Sequence, residues 1–398
     1  MNSLALTLVF ALGAEEMVLR AAVHIHTNFS DGRHSVDEIA QRAAGAGIDV
    51  VILNDHFMDE ITYGVPLLRE ALAFKVAPPS LAPESMEAYL QAAHEAEQKT
   101  GVLILPGVKL TPFYYWEGSP FSGDLTLNSA HRHLMVIFPD KYAGDAGTAP
   151  YQEAIDAAAS TSSLTFWAHP ETSTRFRHAR YPVDYRSEAY PEFLLRTEGA
   201  DGFASLYEGR QAAAAGGFWD QALVAFVRGE RTKPLWTVGA LDLHAEGEAG
   251  GKFIGNVETV LRARERTKQA VVEALRTGAM YAVRQRNTNR LVLHHFDIVC
   301  GRQRARSGER VITDGPCRIE ARLDQEGEPS GAVTLVLVRN GEVIDERKVE
   351  IDEEGVTLSW MEGDIPRDTS YYRLIGKRGN NPVLYTNPVF VFPKAAVP

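Results

Sequence analysis

The chain has 398 residues, 45% of them apolar and 23% charged, which suits a globular protein of two or three domains with a sizeable core. Its formal net charge of -11 argues against broad binding to a phosphate backbone, so a small-molecule partner is expected and nucleic acid is not. No internal segment reaches the roughly 18 uninterrupted apolar residues of a membrane span.

Residues 1–16 open the chain with an apolar run, Leu4 to Ala14, in which Ala11-Leu12-Gly13 resembles a cleavage site. No Lys or Arg precedes the run. Two readings stand: an extra strand or loose end of a cytoplasmic protein, or a signal segment (residues 1–13) of an exported or periplasmic one. Met17 to Val23 then reads as a strand, and its alternation would project His24 and His26 to one side. Asp31 and Gly32 follow in a polar loop. Ser35 and Glu38 have the spacing of a capping box, with Ile39, Ala43 and Ala46 on the buried side of the helix and Gly47 at its end. Asp49 to Leu53 is a second strand, and it delivers Asp55 and His56.

The pattern recurs downstream. Val102 to Leu105 is a strand ending in Pro106-Gly107-Val108-Lys109. His131 and His133 precede the strand Leu134 to Phe138. Leu164 to Ala168 ends at His169-Pro170, and Leu235 to Ala240 ends at Asp242 and His244. Histidines and aspartates at strand ends are the donor set for Zn, Mn or Fe, and active sites of α/β sheets lie at those ends.

The ordered motifs His24-Ile25-His26, Asp31-Gly32, Asn54-Asp55-His56, His133, Ala168-His169-Pro170 and Gly239-Ala240-Leu241-Asp242-Leu243-His244 resemble the polymerase and histidinol phosphatase (PHP) superfamily. More specifically the chain is similar to its carbaryl-hydrolase-like branch, whose ending resembles Tyr371-Tyr372-Arg373-Leu374 and Tyr385-Thr386-Asn387-Pro388. The resemblance implies an α/β fold: a distorted seven-stranded β/α (PHP) barrel over residues 17–288, then a small all-β sandwich over 289–398. It implies a metal-dependent hydrolase using metal-activated water, holding between one and three divalent ions (Zn, Mn or Fe). Small phosphoesters lead as substrates. Carbamates, esters or amides are the alternative, and a catalytically silent metal- or ligand-binding protein is the third reading.

Carried over by motif, His24, His26 and Asp242 would hold one metal, His133 and His169 a second, and Asp31, His56 and His244 a third. Asp55 would orient a ligand imidazole. Proton transfer would fall to His56, Asp242 or His244. The family places a bridging Glu where this chain has Lys109. Lys109 would replace a metal and pair with Asp242, or be carbamylated and bridge two metals, or mark an inactive site; otherwise Glu117 or Asp124 folds back as ligand.

The remaining residues keep bland alternatives. Arg175, Arg177 and Arg180 could hold a phosphate or solvate a surface loop. His131 could ligate, contact substrate or face solvent. Tyr207-Glu208 could supply an acid or base or a surface pair, and His34, His94 and His178 default to the surface. Two stretches, 57–92 and 112–130 with Phe113-Tyr114-Tyr115-Trp116, read as insertions whose aromatics line a pocket or pack the loop. In the tail, His294 and His295 are structural, Asn340-Gly341 predicts a two-residue hairpin, and Cys300 and Cys317 read as thiols, with a disulfide in an exported protein.

Overall fold

The structure is a computed structural model that describes residues 16–58, 61–64, 73–76, 79–138, 151–177, 182–206, 209–247, 251–285, 289–327, 331–362 and 368–394. The readings for residues 1–15, His178, Arg180 and Tyr207-Glu208 lie outside the described residues. Local sequence signals set the first helix as expected. The Ser35 hydroxyl accepts from the Glu38 amide at 3.2 Å, and the Glu38 carboxylate accepts from the Ser35 amide at 2.8 Å. Both halves of the capping box start the helix Val36–Gly45, whose Val36, Ile39, Ala40 and Ala43 are buried.

The architecture is mixed α/β with several sheets and few helices. In one sheet the strands Leu103–Leu105, Val50–Leu53, Met17–Ile25, Val257–Ala263 and Met280–Arg284 are neighbours in that order. A second sheet runs Asp55–His56, Gly107–Leu110, Leu134–Ile137, Leu164–Trp167, Gly202–Leu206, Trp236–Gly239. Two chain segments pass from the first sheet to the second, through Asn54 and through Pro106. At the far edge Leu243 comes back to the first strand: His26 donates its amide to the Leu243 carbonyl, and Leu243 donates to that of His24. The two ladders remain separate sheets, so a closed seven-stranded barrel is not formed by strand pairing among the described residues.

Not every strand is parallel. Leu134–Ile137 is antiparallel to both its neighbours, so His133, which precedes it, lies at the same sheet edge as residues that follow the other strands. The 57–92 stretch contains a hairpin, Ile61–Gly64 with Ala73–Val76, and the first turns of a helix, Met86–Thr100, that the sequence reading did not anticipate. A small sheet of Tyr115–Glu117, Thr126–Asn128, Asp184–Ser187 and Thr174–Arg177 has its own apolar core with Leu125, Leu127, Val183 and Tyr185.

The tail is divided between two sheets. Asn289–Cys300, Cys317–Gly327 and Val356–Glu362 pair with one another, and their core is shared with the strands Val333–Arg339, Ser370–Arg378 and Val389–Phe392. Asn340-Gly341 makes the expected hairpin: Arg339 pairs with Glu342, and both turn residues have positive φ, 49° and 87°, as a type I′ turn requires. Cys300 and Cys317 face each other across an antiparallel pair and are disulfide-bonded, which corrects their reading as thiols. The tail is not separate from what precedes it. Asn381–Thr386 pairs with Met280–Arg284, extending the first sheet across the expected boundary at 288. The buried Asn387 side chain bonds the backbone of Thr237 and Met280.

Candidate metal centre

His24 and His26 end the Met17–Ile25 strand, but simple alternation does not place them. His24 has φ 67° and the register of the strand shifts between Val23 and Ile25. That left-handed residue turns both rings towards Asp242: His24 Nε2 lies 2.9 Å and His26 Nε2 3.4 Å from Asp242 Oδ1. Asp242 (φ 50°) and His169 (φ 30°) have positive φ too. Such backbone costs about 1–3 kcal/mol per residue and concentrates at functional sites.

A second grouping surrounds Asp31. His26 Nδ1 is 2.8 Å from its Oδ1, while His56 Nε2 and His244 Nε2 are 3.4 and 3.3 Å from its Oδ2. The two sets, His26–Asp31–His56–His244 and His24–His26–Asp242, each bring their donor atoms within 4.8 Å of one another. His133 and His169 join through Nδ1 and Nε2 at 3.1 Å. His133 also contacts the Ala130 carbonyl, and its amide donates to the Tyr190 hydroxyl.

Burial dominates four of these rings, His24, His56, His133 and His169, whereas on His244 burial is outweighed by the Asp31 and Asp242 carboxylates together, which raise its pKa. Burial holds His24 and His133 well below the ordinary imidazole range. Burial first, and the Lys109 charge after it, bring His56 down to about 3. His169 also falls to about 3, mainly through burial. Burial opposes ionisation of Asp242, but Lys109 and His24 outweigh it and keep the carboxylate charged. Asp31 is likewise held down against burial by the rings of His244, His26 and His56 that face it. Neutral imidazoles beside ionised carboxylates are the ligand state a divalent ion requires. The buried nitrogens Nε2 of His24 and Nδ1 and Nε2 of His26 have no aligned hydrogen bond, although carboxylate oxygens lie close by. Donor atoms that converge without bonding each other fit a cation among them.

Lys109 is 2% exposed and its Nζ lies 3.1 Å from Asp242 Oδ1, as one of its expected readings has it. Glu117 and Asp124 do not fold back: Glu117 accepts from Asn128, and Asp124 caps the turn at Ser119 and Ser122. Asp55 was expected to orient an imidazole. Its oxygens instead receive the Thr27 amide and hydroxyl and the Ser30 hydroxyl, so it pins the loop that carries Asp31. His131 lies against the rings of His133, Phe176 and Tyr185. Arg175 and Arg177 lie on the exposed strand Thr174–Arg177, paired with Glu188 and Asp184. Lys252, absent from the sequence reading, sends Nζ to the Asp242 carbonyl at 2.8 Å and lies 3.7 Å from Asp242 Oδ2.

Gly32 belongs to the same construction. A Cβ there would meet the His26 carbonyl oxygen at 2.4 Å. Gly32→Ala should therefore displace the Asp31 loop and weaken metal binding at least tenfold, the lower end of the cost of disturbing ligand orientation (about 10–100-fold). A metal titration followed by calorimetry checks this, and unchanged affinity would contradict it.

No family model matches the chain, and no curated protein matches its sequence. Among solved structures it is similar to a two-domain protein from Bacteroides vulgatus containing a predicted PHP-like metal-dependent phosphoesterase. That match has 14% identity and a TM-score of 0.42, covering 94% of this chain and 95% of that one. It is also similar to an amidohydrolase from Chromobacterium violaceum, solved with bound sulfate and no metal. There the identity is 15% and the TM-score 0.33, covering 67% of this chain and 98% of the other. At these identities and TM-scores neither likeness carries an argument about this chain. Among the described residues, no helix is long and apolar enough to cross a membrane.

Proposed function

We propose that the protein is a metal-dependent hydrolase acting on a small phosphoester. The observation that carries this reading is the convergence of His24, His26, His56, His244, Asp31 and Asp242 at one sheet edge, with buried imidazole nitrogens left unbonded. The order of motifs along the chain favours phosphoester chemistry within that class. Bound there, a divalent ion supplies Lewis acidity, acidifying a water molecule and polarising the scissile group. The chain's own residues orient the site: Asp55 fixes the Asp31 loop, and Ala130 and Tyr190 hold His133. His56 and His244 serve as ligands, and His131, whose ring abuts that of His133, is the residue offered to substrate at the rim. Arg175 and Arg177 flank Phe176 on the opposite face of their strand, paired with Glu188 and Asp184.

The same reading takes seven strands of the first two sheets as one distorted barrel: Met17–Ile25, the bent segments Val50 to His56 and Leu103 to Leu110, Leu134–Ile137, Leu164–Trp167, Gly202–Leu206 and Trp236–Gly239. Support comes from the segments Val50 to His56 and Leu103 to Leu110, which bend from one sheet to the other, and from the return of Leu243 to the first strand. The tail then docks as a β-sandwich.

A second reading, hydrolysis of a carbamate, ester or amide, is favoured by a chain of rings at the mouth. Exposed Phe176 stacks on Tyr185 at 4.6 Å, both rings abut His131, and His131 lies 5.7 Å from His133. An aryl group would pack there. The test is a chromogenic panel of phosphate, carbamate and carboxylate esters, run after chelation and again after adding Zn or Mn. Phosphate-ester turnover that returns with metal is expected. Metal-restored turnover of carbamates or carboxylate esters alone would replace the first reading with the second. Metal uptake with no turnover would mark a silent binding protein.

A further inference from the structure

We propose that the ion sits at His26, Asp31, His56 and His244, and that the Lys109 ammonium stands in for a second ion against Asp242. The inference rests on the metal-hydrolase reading above and narrows it in number: one ion, the lower end of the one to three expected.

The two donor groups share His26. A neutral imidazole has one lone pair, on one of its two nitrogens, so His26 can ligate in only one group at a time. Its Nδ1 faces Asp31 at 2.8 Å and its Nε2 faces Asp242 at the longer 3.4 Å. Charge separates the two choices further. Asp31 is approached by three imidazoles, and among the described residues no ammonium or guanidinium lies within ion-pair distance of it. Asp242 is flanked by two ammonium groups, Lys109 on Oδ1 at 3.1 Å and Lys252 on Oδ2 at 3.7 Å. A dication placed against Asp242 would meet both positive charges at close range.

Lys109 cannot readily turn away. It lies in the strand Gly107–Leu110, buried throughout, opposite Met135 on one side and His56 on the other. Its charge is thus built into the site. Asp242 then becomes a positioning residue. With His26 ligating through Nδ1, its Nε2–H lies on the Asp242 side, 3.4 Å from Oδ1, where a carboxylate orients a ligand ring. His133 and His169 bond each other and fall in no group of three or more donors among the described residues.

The experiment is elemental analysis of the full chain loaded with Zn and desalted, together with intact mass. One ion per chain and an unmodified Lys109 are expected, and two ions for Lys109→Glu. Two or more ions in the unaltered protein, or a carbamate on Lys109, would overturn the proposal. No ion at all would instead defeat the metal-hydrolase reading. Should Lys109→Glu fail to fold, two asparagine variants decide the matter without it. Asp31→Asn should lose the ion, whereas Asp242→Asn should retain it with affinity reduced roughly 10–100-fold. The reverse ranking would overturn the assignment.

Discussion

Replacing His26 with Ala should remove the divalent ion and reduce any metal-dependent turnover by more than about 100-fold, beyond the usual cost of losing a supporting residue. His26 is the one side chain common to both donor groups, and it is 1% exposed. Its ring lies 4.0 Å from that of His244 and 5.0 Å from that of His56, centroid to centroid. Truncation leaves a buried gap between Asp31 and Asp242 and removes one donor from each group. The gap itself costs stability, on the order of a few kcal/mol for a large-to-small change at a buried position, although no aligned hydrogen bond is lost with the ring. Elemental mass spectrometry and a denaturant melt, run in parallel, separate the two effects. An unchanged metal content would contradict the assignment.

The largest expected effect on stability lies far from that site. Arg373, fully buried, donates from Nε and Nη2 to the two oxygens of Asp220 at 2.7 and 2.6 Å. The Tyr371 hydroxyl joins Asp220 at 2.8 Å, and the guanidinium lies 4.5 Å from the centre of the Trp219 ring. Asp220 and Trp219 belong to the helix Phe218–Val227, Tyr371 and Arg373 to the strand Ser370–Arg378. The pair therefore joins the tail to the preceding unit across 153 residues of chain. Arg373→Met should cost about 3–5 kcal/mol, because it strands a buried carboxylate. Adding Asp220→Leu to that variant should recover much of the loss, since an apolar pair of similar volume removes the unpaired charge. Urea unfolding of both variants checks this. A loss below about 1 kcal/mol for Arg373→Met, as for an exposed pair, would contradict it.

How much was legible in the sequence follows from which signals are local. The Ser35–Glu38 capping box and the Asn340-Gly341 turn act within four residues, and both formed as read. The helix Met86–Thr100 carries a faint apolar period because two of its three buried positions, Ala93 and Ala96, are small and the third is the polar-tipped Tyr89. The disulfide depended on the register that sets Cys300 opposite Cys317, which spacing alone does not specify. The stretch Tyr371 to Leu374 stood out in the sequence, yet the reason for a buried Arg373 is Asp220, which only the fold brings near.

The candidate site shows the same division. Each His and Asp was visible as a polar residue at the end of an apolar run. Regular alternation would set His24 and His26 on one side of a strand, and both rings do approach Asp242, but not by alternation. The chain uses a left-handed residue at His24 and a register shift, not a regular strand. Lys252 carried no signal, since it follows no apolar run and matches no spacing. It comes to Asp242 because the loop after His244 folds back over the sheet edge. Lys109 was visible as a departure from the family's pattern, but its partner became a single one, Asp242, only in three dimensions.

A divalent ion is expected where these strands end. The most direct test is anomalous scattering, recorded at the zinc edge, from crystals of the full chain loaded with zinc. One peak per chain is expected, among His26, Asp31, His56 and His244. A loaded crystal with no peak at that sheet edge, or with its peak elsewhere on the molecule, would contradict that expectation.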